Sequence, residues 1–312
     1  MRVIVIGATG HIGSFLIPKL VNAGFEVFAV SRHANTPYKT NPAWRSVKSI
    51  SLDREKLEQT GEFGNEIAQL NPDIVIDLIC FTQESAQQLV NAIRGKVRQL
   101  LHCGSIWVHG NTRFVPSTEE QQKFPLGDYG INKAAIESYL IDEYIYQGFP
   151  ATIVHPGHIV GPGWCPLNPA GNFNEQFFID IEEGNEVLLP NLGLETLHHV
   201  HADDVAQVFM QAILHRNNAL GESFHAVSNQ ALTLRGYTQA IADWLSKPVN
   251  IRYLPLAELK NTVSEDDYNA TVEHISHNSN CSNLKARQLL NYNPRYSSIE
   301  AIQESLIEMI KF

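Results

Sequence analysis

The fold is decided by residues 2–13, which read RVIVIGATGHIG. The apolar run over residues 3–6 predicts a buried strand, and residues 12–23 predict a helix that stops near Gly24. Glycines between a strand and a helix permit a tight turn and close approach of a pyrophosphate, which the free N–H groups of the helix can bind. This context predicts a dinucleotide-binding loop rather than an ordinary glycine turn. The residues predicted to bind the cofactor here are Gly7, Thr9, Gly10, His11, Ile12 and Gly13.

Strands and helices continue to alternate after this loop. Strands are predicted over residues 26–30, 73–79, 99–103, 151–155 and 223–227, and helices over 84–93, 129–146, 202–214, 233–245 and from 297 onward. Apolar strands separated by helices favour an α/β fold, in which a Rossmann-type doubly wound parallel sheet is covered on both faces. The polar segment 260–283 is predicted to be a loop.

The positions of the motifs and a change in residue composition along the chain divide it into two parts. Residues 1–165 plus about 198–230 are predicted to form a dinucleotide-binding domain. Residues about 166–197 plus 231–312 are predicted to form a smaller, mostly helical C-terminal lobe for the substrate.

Composition narrows the class of protein. The chain has 312 residues and a formal net charge of −10, which disfavours a nucleic-acid surface. No apolar run approaches the roughly 18 residues of a membrane helix, and the N-terminal apolar stretch is too short for a signal peptide. The four cysteines are scattered, which predicts reduced thiols in a cytoplasmic protein.

A possible proton-transfer pair lies in the middle of the chain. Tyr129 and Lys133 are four residues apart, so on a helix they share one face. A neighbouring ammonium favours the phenolate, so we expect Lys133 to lower the pKa of Tyr129. Ser105 follows a predicted strand, at the edge where open α/β sheets bind ligands. Taken singly, Tyr129 and Lys133 also fit exposed helix residues, but the combination with Ser105 and the glycine loop favours catalysis.

The end of the second strand indicates the cofactor. Ser31 offers no carboxylate to a ribose hydroxyl, and Arg32 can pair with a 2′-phosphate, so NADP(H) is preferred over NAD(H). The alternative is that Arg32 is a solvated surface residue. Asp53 is predicted to accept a hydrogen bond from the adenine amino group, or else to cap the segment that follows it.

Several motifs in the correct order resemble one enzyme family. With the glycine loop and Tyr129/Lys133, the chain is similar over nearly its whole length to the extended short-chain dehydrogenase/reductases, the NAD(P)-dependent epimerase/dehydratases. The further motifs lie at residues 103–110, 155–163, 201–206, 282–286 and 290–294.

The resemblance implies a role for each catalytic residue. Tyr129 would be the acid/base, Lys133 would lower its pKa and hold the nicotinamide ribose, and Ser105 would hydrogen-bond the substrate oxygen during hydride transfer. Further residues implied to lie at the cofactor are Leu78, Ile79, Cys80 and Pro156.

Departures from the family pattern bear on the substrate. Many sugar-nucleotide enzymes of the family place an arginine four residues before the family histidine, His201, to clamp a diphosphate, and that position is Leu197 here. Residues 270–281 also contain no Arg or Lys. Because a diphosphate without cationic partners is poorly held, the substrate is expected to be a smaller, less charged sugar, hydroxy acid or carbonyl compound.

Candidate substrate contacts come from the same departures and from the loop after the Gly-Pro turn. His109 and His155 replace a usual Tyr and Arg of the family, and His158 stands where many members carry an Asn. The loop residues are equally consistent with simple loop packing. The predicted substrate contacts are His109, His158, Trp164, Asn168 and Asn172, with Phe173 as a further candidate.

Three remaining expectations concern metals, partners and a rival function. His198, His199 and His201 cluster in sequence, but no Cys or carboxylate pattern completes a zinc site, so no metal is predicted. The helix after Tyr129 carries apolar residues on two faces, which is compatible with a homodimer. The rival function is a non-catalytic relative that binds a dinucleotide for regulation, or binds RNA. A net redox reaction and a redox-neutral epimerisation or dehydration stay open.

Overall fold

The computed structural model describes residues 1–32, 37 and 39–309, with only the backbone for residue 308. In chain order the strands are β1 (Arg2–Ile6), β2 (Glu26–Ser31), β3 (Lys48–Ser51), β4 (Ile74–Asp77), β5 (Gln99–Cys103), β6 (Ala151–Pro156), β7 (His158–Val160), β8 (Glu186–Pro190), β9 (Thr196–Leu197), β10 (His199–His201), β11 (Ser223–Ala226), β12 (Leu232–Thr233) and β13 (Asn250–Leu254).

The α-helices are α1 (His11–Asn22), α2 (Arg54–Gln59), α3 (Phe63–Gln69), α4 (Gln83–Ile93), α5 (Gly127–Gln147), α6 (Gln176–Glu183), α7 (Ala202–Leu214), α8 (Arg216–Ala219), α9 (Leu234–Leu245), α10 (Leu256–Leu259), α11 (Glu265–His277), α12 (Leu284–Leu290) and α13 (Ser298–Met309). Short 3₁₀ helices span Pro42–Ser46 and Ile106–His109. Among the described helices, none combines the length and the apolar character needed to span a membrane.

Seven strands form a central parallel sheet in the order β11-β6-β5-β4-β1-β2-β3. The chain runs from β1 towards one edge and then returns to build β4, β5 and β6 on the other side of β1. This reversal opens a crevice at the carboxyl ends of β1 and β4, which is where open α/β sheets bind ligands. The predicted doubly wound, Rossmann-type sheet is confirmed.

Alternation along β1 shows how both faces of the sheet are covered. Val3 and Val5 pack in a cluster with residues of α1 and α7, whereas Ile4 and Ile6 pack in a second cluster with residues of α3, α4 and α5. Successive side chains of a strand point to opposite faces, so a strand that is apolar throughout must be covered twice. All four of these side chains are buried.

A third cluster forms the core of the remaining part of the chain. It joins residues of α6, α9 and α13 with strands β8 and β9, and it includes Phe178, Tyr237 and Leu306. The strand pairs here are short: β8 pairs with β13, and β9 pairs with β12. One segment departs from the predicted division, because Ala286 and Leu290 of α12 pack in the first cluster beside the central sheet.

Helix boundaries largely follow the predicted signals. Thr233 caps α9 by accepting from the Gly236 N–H, and Ser297 and Glu300 form a reciprocal capping box at the start of α13. The predicted loop over residues 260–283 is wrong, because α11 occupies its centre. The buried face of α11 includes Thr271, His274 and His277 as well as Ile275, so it lacks the apolar periodicity on which the prediction relied.

Candidate active site

The glycine loop leaves no room for side chains at two of its positions. A Cβ at Gly13 would lie 2.0 Å from the carbonyl oxygen of Ala8, inside contact distance with backbone. Gly7 has a φ of +81°, and a Cβ there would lie 2.7 Å from Cγ2 of Ile79. The loop is fixed to the sheet, since the Gly7 N–H donates to the Val30 carbonyl at 2.9 Å. Glycine is therefore required for α1 to pack this close to β1.

The start of α1 is suited to an anion. Its N-cap is Gly10, which brings no capping side chain, and its first turn contains no acidic residue. The N–H groups and the positive end of the helix dipole are thus available to a phosphate. His11 adds no charge here, because burial, aided by His201, lowers its pKa to about 3. The His11 ring instead stacks on Trp164, with ring centroids 4.8 Å apart.

A cavity of about 440 Å³ connects the glycine loop to the predicted catalytic residues. Its volume lies in the range of small-molecule and cofactor sites. Together with the bare helix terminus, this shape fits a dinucleotide. The lining contains most of the residues predicted from sequence and several that were not: Gly7, Gly10, His11, Ile12, Gly13, Leu78, Ile79, Phe81, Cys103, Gly104, Ser105, Tyr129, Lys133, Pro156, Gly157, Ile159 and Trp164.

Lys133 is held by two backbone carbonyl groups, one in the segment after β4 and one at the end of β5. Its Nζ donates to the carbonyl oxygens of Cys80 at 2.8 Å and Cys103 at 2.7 Å. The side chain is 1% exposed, and burial lowers its pKa. Cys80 thus takes part through its backbone, while its side chain lies outside the lining of the cavity.

The pKa of Tyr129 lies above its usual value, whereas the sequence predicted that Lys133 would lower it. Burial raises the pKa of Tyr129 to about 12, and a hydrogen bond with the Ser105 side chain opposes that rise only in part. The Lys133 ammonium is engaged by two carbonyl groups, with Nζ 5.7 Å from the centroid of the Tyr129 ring. Tyr129 is 41% exposed as a residue, so its ring borders the cavity while its hydroxyl meets Ser105.

A second cavity, of about 240 Å³, continues from the first. The two cavities share Ser105 and Tyr129, so these two residues lie at the junction of the cavities. No Arg or Lys is among its lining residues in the described part of the chain. The lining is mainly aromatic and aliphatic: Ser105, Ile106, Trp107, Tyr129, Gly157, His158, Ile159, Trp164, Leu167 and Phe173.

Sequence analysis missed two aromatic residues of these cavities. Phe81 lies beneath Lys133, with Nζ 4.8 Å from its ring centroid, and Trp107 meets Tyr129 edge to face at 5.6 Å. Trp107 also stacks on His277 of α11 at 4.0 Å. Trp107 stands two residues after Ser105, in the 3₁₀ turn that places Ser105, and that position was the available signal.

Three residues predicted to contact the substrate lie outside the lining of these two cavities. His109 is 4% exposed and pairs with His225, with their Nε2 atoms 2.7 Å apart, so it belongs to the core and not to either cavity. Asn168 and Asn172 are buried and bond each other. Asn172 also donates to Thr271 of α11, so the alternative of loop packing describes both asparagines.

A further cavity, of about 590 Å³, lies beside the end of β2, where the adenosine end of the cofactor was predicted. Arg32 lines it, and so does the buried Arg54, whose guanidinium contacts Asp77 at 2.8 Å and Glu58 at 2.6 Å. This cavity shares Ile79 and Phe81 with the first one.

Three other residues predicted to bind the cofactor line none of the cavities named above. Asp53 caps α2 by accepting from the Lys56 N–H, which is the alternative role considered for it. Thr9 is partly exposed in the glycine loop, and Ser31 is partly exposed at the end of β2.

The three histidines that are close together in the sequence contact different partners. His198, His199 and His201 contact the Ser228 carbonyl, the Leu167 carbonyl and Glu304 respectively. His201 also caps α7 by accepting from the Asp203 N–H.

A different set of metal-ligand residues meets in the described structure, formed by His109, His225 and Cys281. The 2.7 Å between the two imidazole nitrogens is a hydrogen-bond distance. It is shorter than the spacing of about 3.4 Å that two histidine ligands would take around a tetrahedral zinc ion.

Comparison with known proteins gives the family. The model described as the NAD dependent epimerase/dehydratase family matches residues 3–226. The chain belongs to this family. The predicted resemblance is thereby confirmed, and the dependence of the family on NAD agrees with the cavity that begins at the glycine loop.

Relatives within the family differ in their activities. The chain is 25% identical to 2'-dehydrokanamycin reductase of Streptomyces kanamyceticus over 80% of this chain and 68% of that protein. It is 24% identical to UDP-glucose 4-epimerase of Mycolicibacterium smegmatis over 98% and 97%. A solved structure of UDP-glucuronic acid 4-epimerase from Bacillus cereus, in complex with UDP-glucuronic acid and NAD, superimposes with a TM-score of 0.74 at 18% identity, covering 99% of each chain.

Proposed function

We propose that the protein catalyses hydride transfer at a carbinol or carbonyl carbon of an uncharged, sugar-like or small carbonyl substrate, using a nicotinamide dinucleotide. The observation that carries this proposal is the meeting of Ser105, Tyr129 and Lys133 with the glycine loop in one cavity. The bound dinucleotide supplies or accepts the hydride.

Each catalytic group has a distinct role in this proposal. Tyr129 exchanges a proton with the substrate oxygen, and the Ser105 hydroxyl, which contacts the Tyr129 phenol, orients that oxygen. Lys133 supplies a fixed positive charge next to the nicotinamide end. Because burial raises the pKa of Tyr129 to about 12, the tyrosine begins as the proton donor, which suits reduction of a carbonyl group.

The substrate class follows from the second cavity. Its lining offers aromatic faces and neutral imidazole, because burial lowers the pKa of His158 well below its usual value. Leu197 is fully buried in the core of the C-terminal part of the chain, so it cannot replace a diphosphate-binding arginine. These features favour an uncharged substrate over a nucleotide sugar.

NADP(H) is proposed as the preferred cofactor over NAD(H). The support is Arg32, which is exposed at the edge of the cavity at the adenosine end. An exposed guanidinium at the end of the second strand suits a 2′-phosphate.

The organisation of the protein is proposed along the predicted lines, with residues 284–292 moved from the substrate lobe to the dinucleotide-binding domain. A homodimer is supported by α5, where Ile136 is buried but Ile145 is 61% exposed and Tyr146 is 74% exposed. A cytoplasmic location is supported by the four free cysteines. The net charge of −10 argues against a nucleic-acid partner.

The non-catalytic alternative has one point of support. The chain is 23% identical to the chloroplast stem-loop binding protein of 41 kDa b of Arabidopsis thaliana over 97% of this chain. Against it, a regulatory or RNA-binding protein needs no hydroxyl pair at the end of a cofactor cavity. A catalytic function is therefore favoured over a regulatory or RNA-binding one.

A ligand panel followed by one substitution tests the proposal. Thermal unfolding is measured with NAD⁺, NADH, NADP⁺ and NADPH, and then with uncharged keto sugars, hydroxyketones and UDP-sugars, because a ligand of the folded state raises stability. Turnover is followed by nicotinamide absorbance and by product NMR, which separates net redox from redox-neutral chemistry. Tyr129→Phe is expected to lower the rate at least about 100-fold, since it removes the proton donor.

The control is Tyr146→Phe, which makes the same chemical change at an exposed position of the same helix. It is expected to keep full activity. Wild-type turnover by Tyr129→Phe would refute the enzymatic proposal. Tight binding of a UDP-sugar would refute the proposed substrate class while leaving the chemistry intact.

A further inference from the structure

We propose that Glu137, acting through His155, is a positioning residue for Ser105. This inference rests on the proposed function, in which Ser105 orients the substrate oxygen. Neither Glu137 nor His155 lines the two active-site cavities, so both act behind the residues that meet the substrate.

The link between Ser105 and His155 is a hydrogen bond to the ring. The backbone N–H of Ser105 donates to Nδ1 of His155 at 3.0 Å. A ring nitrogen accepts only with its lone pair, so the proton of this neutral imidazole lies on Nε2. His155 is fully buried on β6, the neighbour of β5, which ends two residues before Ser105.

Glu137 sets which ring nitrogen carries the proton. Its Oε1 lies 3.1 Å from Nε2 of His155 and 2.7 Å from Nζ of Lys123. Burial opposes ionisation of Glu137, but the Lys123 ammonium at this distance favours the charged carboxylate. A negatively charged carboxylate 3.1 Å from Nε2 favours the proton on that nitrogen through its charge, as in other sites where a carboxylate orients a histidine.

The backbone at Ser105 allows the ring to approach this closely. A Cβ at Gly104 would lie 2.2 Å from Nδ1 of His155, so only glycine fits between the strand and the imidazole. On the other side, the Ser105 Oγ accepts from the Trp107 N–H at 3.2 Å. The amide and the hydroxyl oxygen of Ser105 are thus both held, and the hydroxyl hydrogen lies on the side of Tyr129, where the substrate oxygen would bind.

Other titratable groups surround the imidazole. His102 of β5 is fully buried close to it, and the ring of His225 of β11 lies 6.2 Å away. His109 lies beyond His225. Burial holds the pKa of all three of these histidines low, so Glu137 is the charged partner that distinguishes the two nitrogens of His155.

If Glu137 loses its charge, His155 can move its proton to Nδ1. The Ser105 N–H would then face another N–H, and the residue would shift away from Tyr129. A purely structural role for Glu137 would change stability but would leave the tautomer of His155 and the kcat of the enzyme as they are.

The first test needs no substrate. Long-range ¹⁵N–¹H NMR reports the tautomer of His155, and amide exchange reports the Ser105 hydrogen bond. Glu137→Gln is expected to reduce the population with the proton on Nε2 and to speed exchange of the Ser105 amide about 10-fold or more, the equivalent of one lost hydrogen bond. Glu143→Gln is the matched control, because Glu143 lies on the same helix as Glu137 and its carboxylate is also paired, with Arg94.

The second test uses the substrate that the ligand panel identifies. Glu137→Gln is expected to lower kcat about 10- to 100-fold, because small misplacements of catalytic groups cost this much, while KM and cofactor affinity stay within about twofold. His155→Gln keeps an acceptor for the Ser105 amide and is expected to retain more activity than His155→Leu.

The outcomes separate this proposal from the proposed function. An unchanged His155 tautomer and Ser105 exchange rate in Glu137→Gln would overturn the positioning role, even with no substrate found. Failure of every substrate would count against the proposed function alone. If Glu137→Gln does not fold, Lys123→Met takes its place, and the same two NMR readouts decide.

Discussion

At the residue scale, cofactor preference depends on Arg32. The other arginine at the adenosine end, Arg54, is already compensated by Asp77 and Glu58. Glu55, Glu58 and Glu84 also line this cavity. Their negative charges would repel the 2′-phosphate of NADP(H) unless a cation offsets them. Among the described lining residues, Arg32 is the cation not held in an ion pair.

Replacement of Arg32 is expected to reverse the preference. Arg32→Ser should weaken NADPH binding by about 10- to 100-fold, the worth of a charge-assisted hydrogen bond, and should leave NADH binding within about twofold. Fluorescence titration with each reduced cofactor measures the ratio. Arg45→Ser, an exposed arginine outside the cavity, is the control. Tighter binding of NADH than NADPH by the wild type would show that the assignment is wrong.

Individual site residues differ in how far sequence could predict them. The glycine loop and Ser105 follow strands, so their positions in the fold follow from local pattern. His109 also stands near Ser105 in sequence, but its ring turns into the core because His225, 116 residues away, offers a hydrogen bond there. The partners of His155 are likewise distant in sequence, and no local periodicity reports them.

At the element scale, α11 has the most consequence for the site. The helix was predicted to be a loop, because its buried face contains imidazole and hydroxyl side chains and, in Ile275, a single aliphatic one. His277 of this helix stacks on Trp107, and Trp107 meets Tyr129. The start of the helix did carry a signal, since Ser264 precedes three acidic residues in the first turn.

Removal of the cap is expected to weaken this helix. The Ser264 hydroxyl accepts from the Asp267 N–H at 3.1 Å. Ser264→Ala should lower the free energy of unfolding by about 0.5–2 kcal/mol, measured by urea denaturation. Ser276→Ala, at an exposed position on the same helix, should change it by less than about 0.5 kcal/mol. Equal effects of the two changes would argue against the capping role.

At the scale of the whole molecule, buried histidines control the response to acid. Burial lowers the pKa of His11, His109 and His199 to about 3 and that of His198 to about 4. The unfolded chain therefore takes up more protons than the folded protein below about pH 6.5. These histidines lower the free energy of unfolding as the pH decreases. At pH 5.5 each of these histidines costs on the order of 1 kcal/mol.

Two buried carboxyl groups act in the opposite direction. Burial raises the pKa of Glu119 to about 7 and that of Asp204 to about 6, so both favour the folded protein more as the pH falls through these values. Because four histidines oppose two acids, the urea midpoint is expected to be lower at pH 5.5 than at pH 7.5. An equal or higher midpoint at pH 5.5 would contradict this balance.

Lys133 also has a structural role, which affects how a loss of activity in a Lys133 variant is interpreted. Its ammonium links the segment after β4 to the end of β5 through the carbonyl groups of Cys80 and Cys103. A substitution that removes the charge also leaves two buried acceptors without a donor, a penalty comparable to the loss of an internal hydrogen bond. An inactive Lys133 variant thus reports two defects at once, and Tyr129 gives the cleaner measure of catalysis.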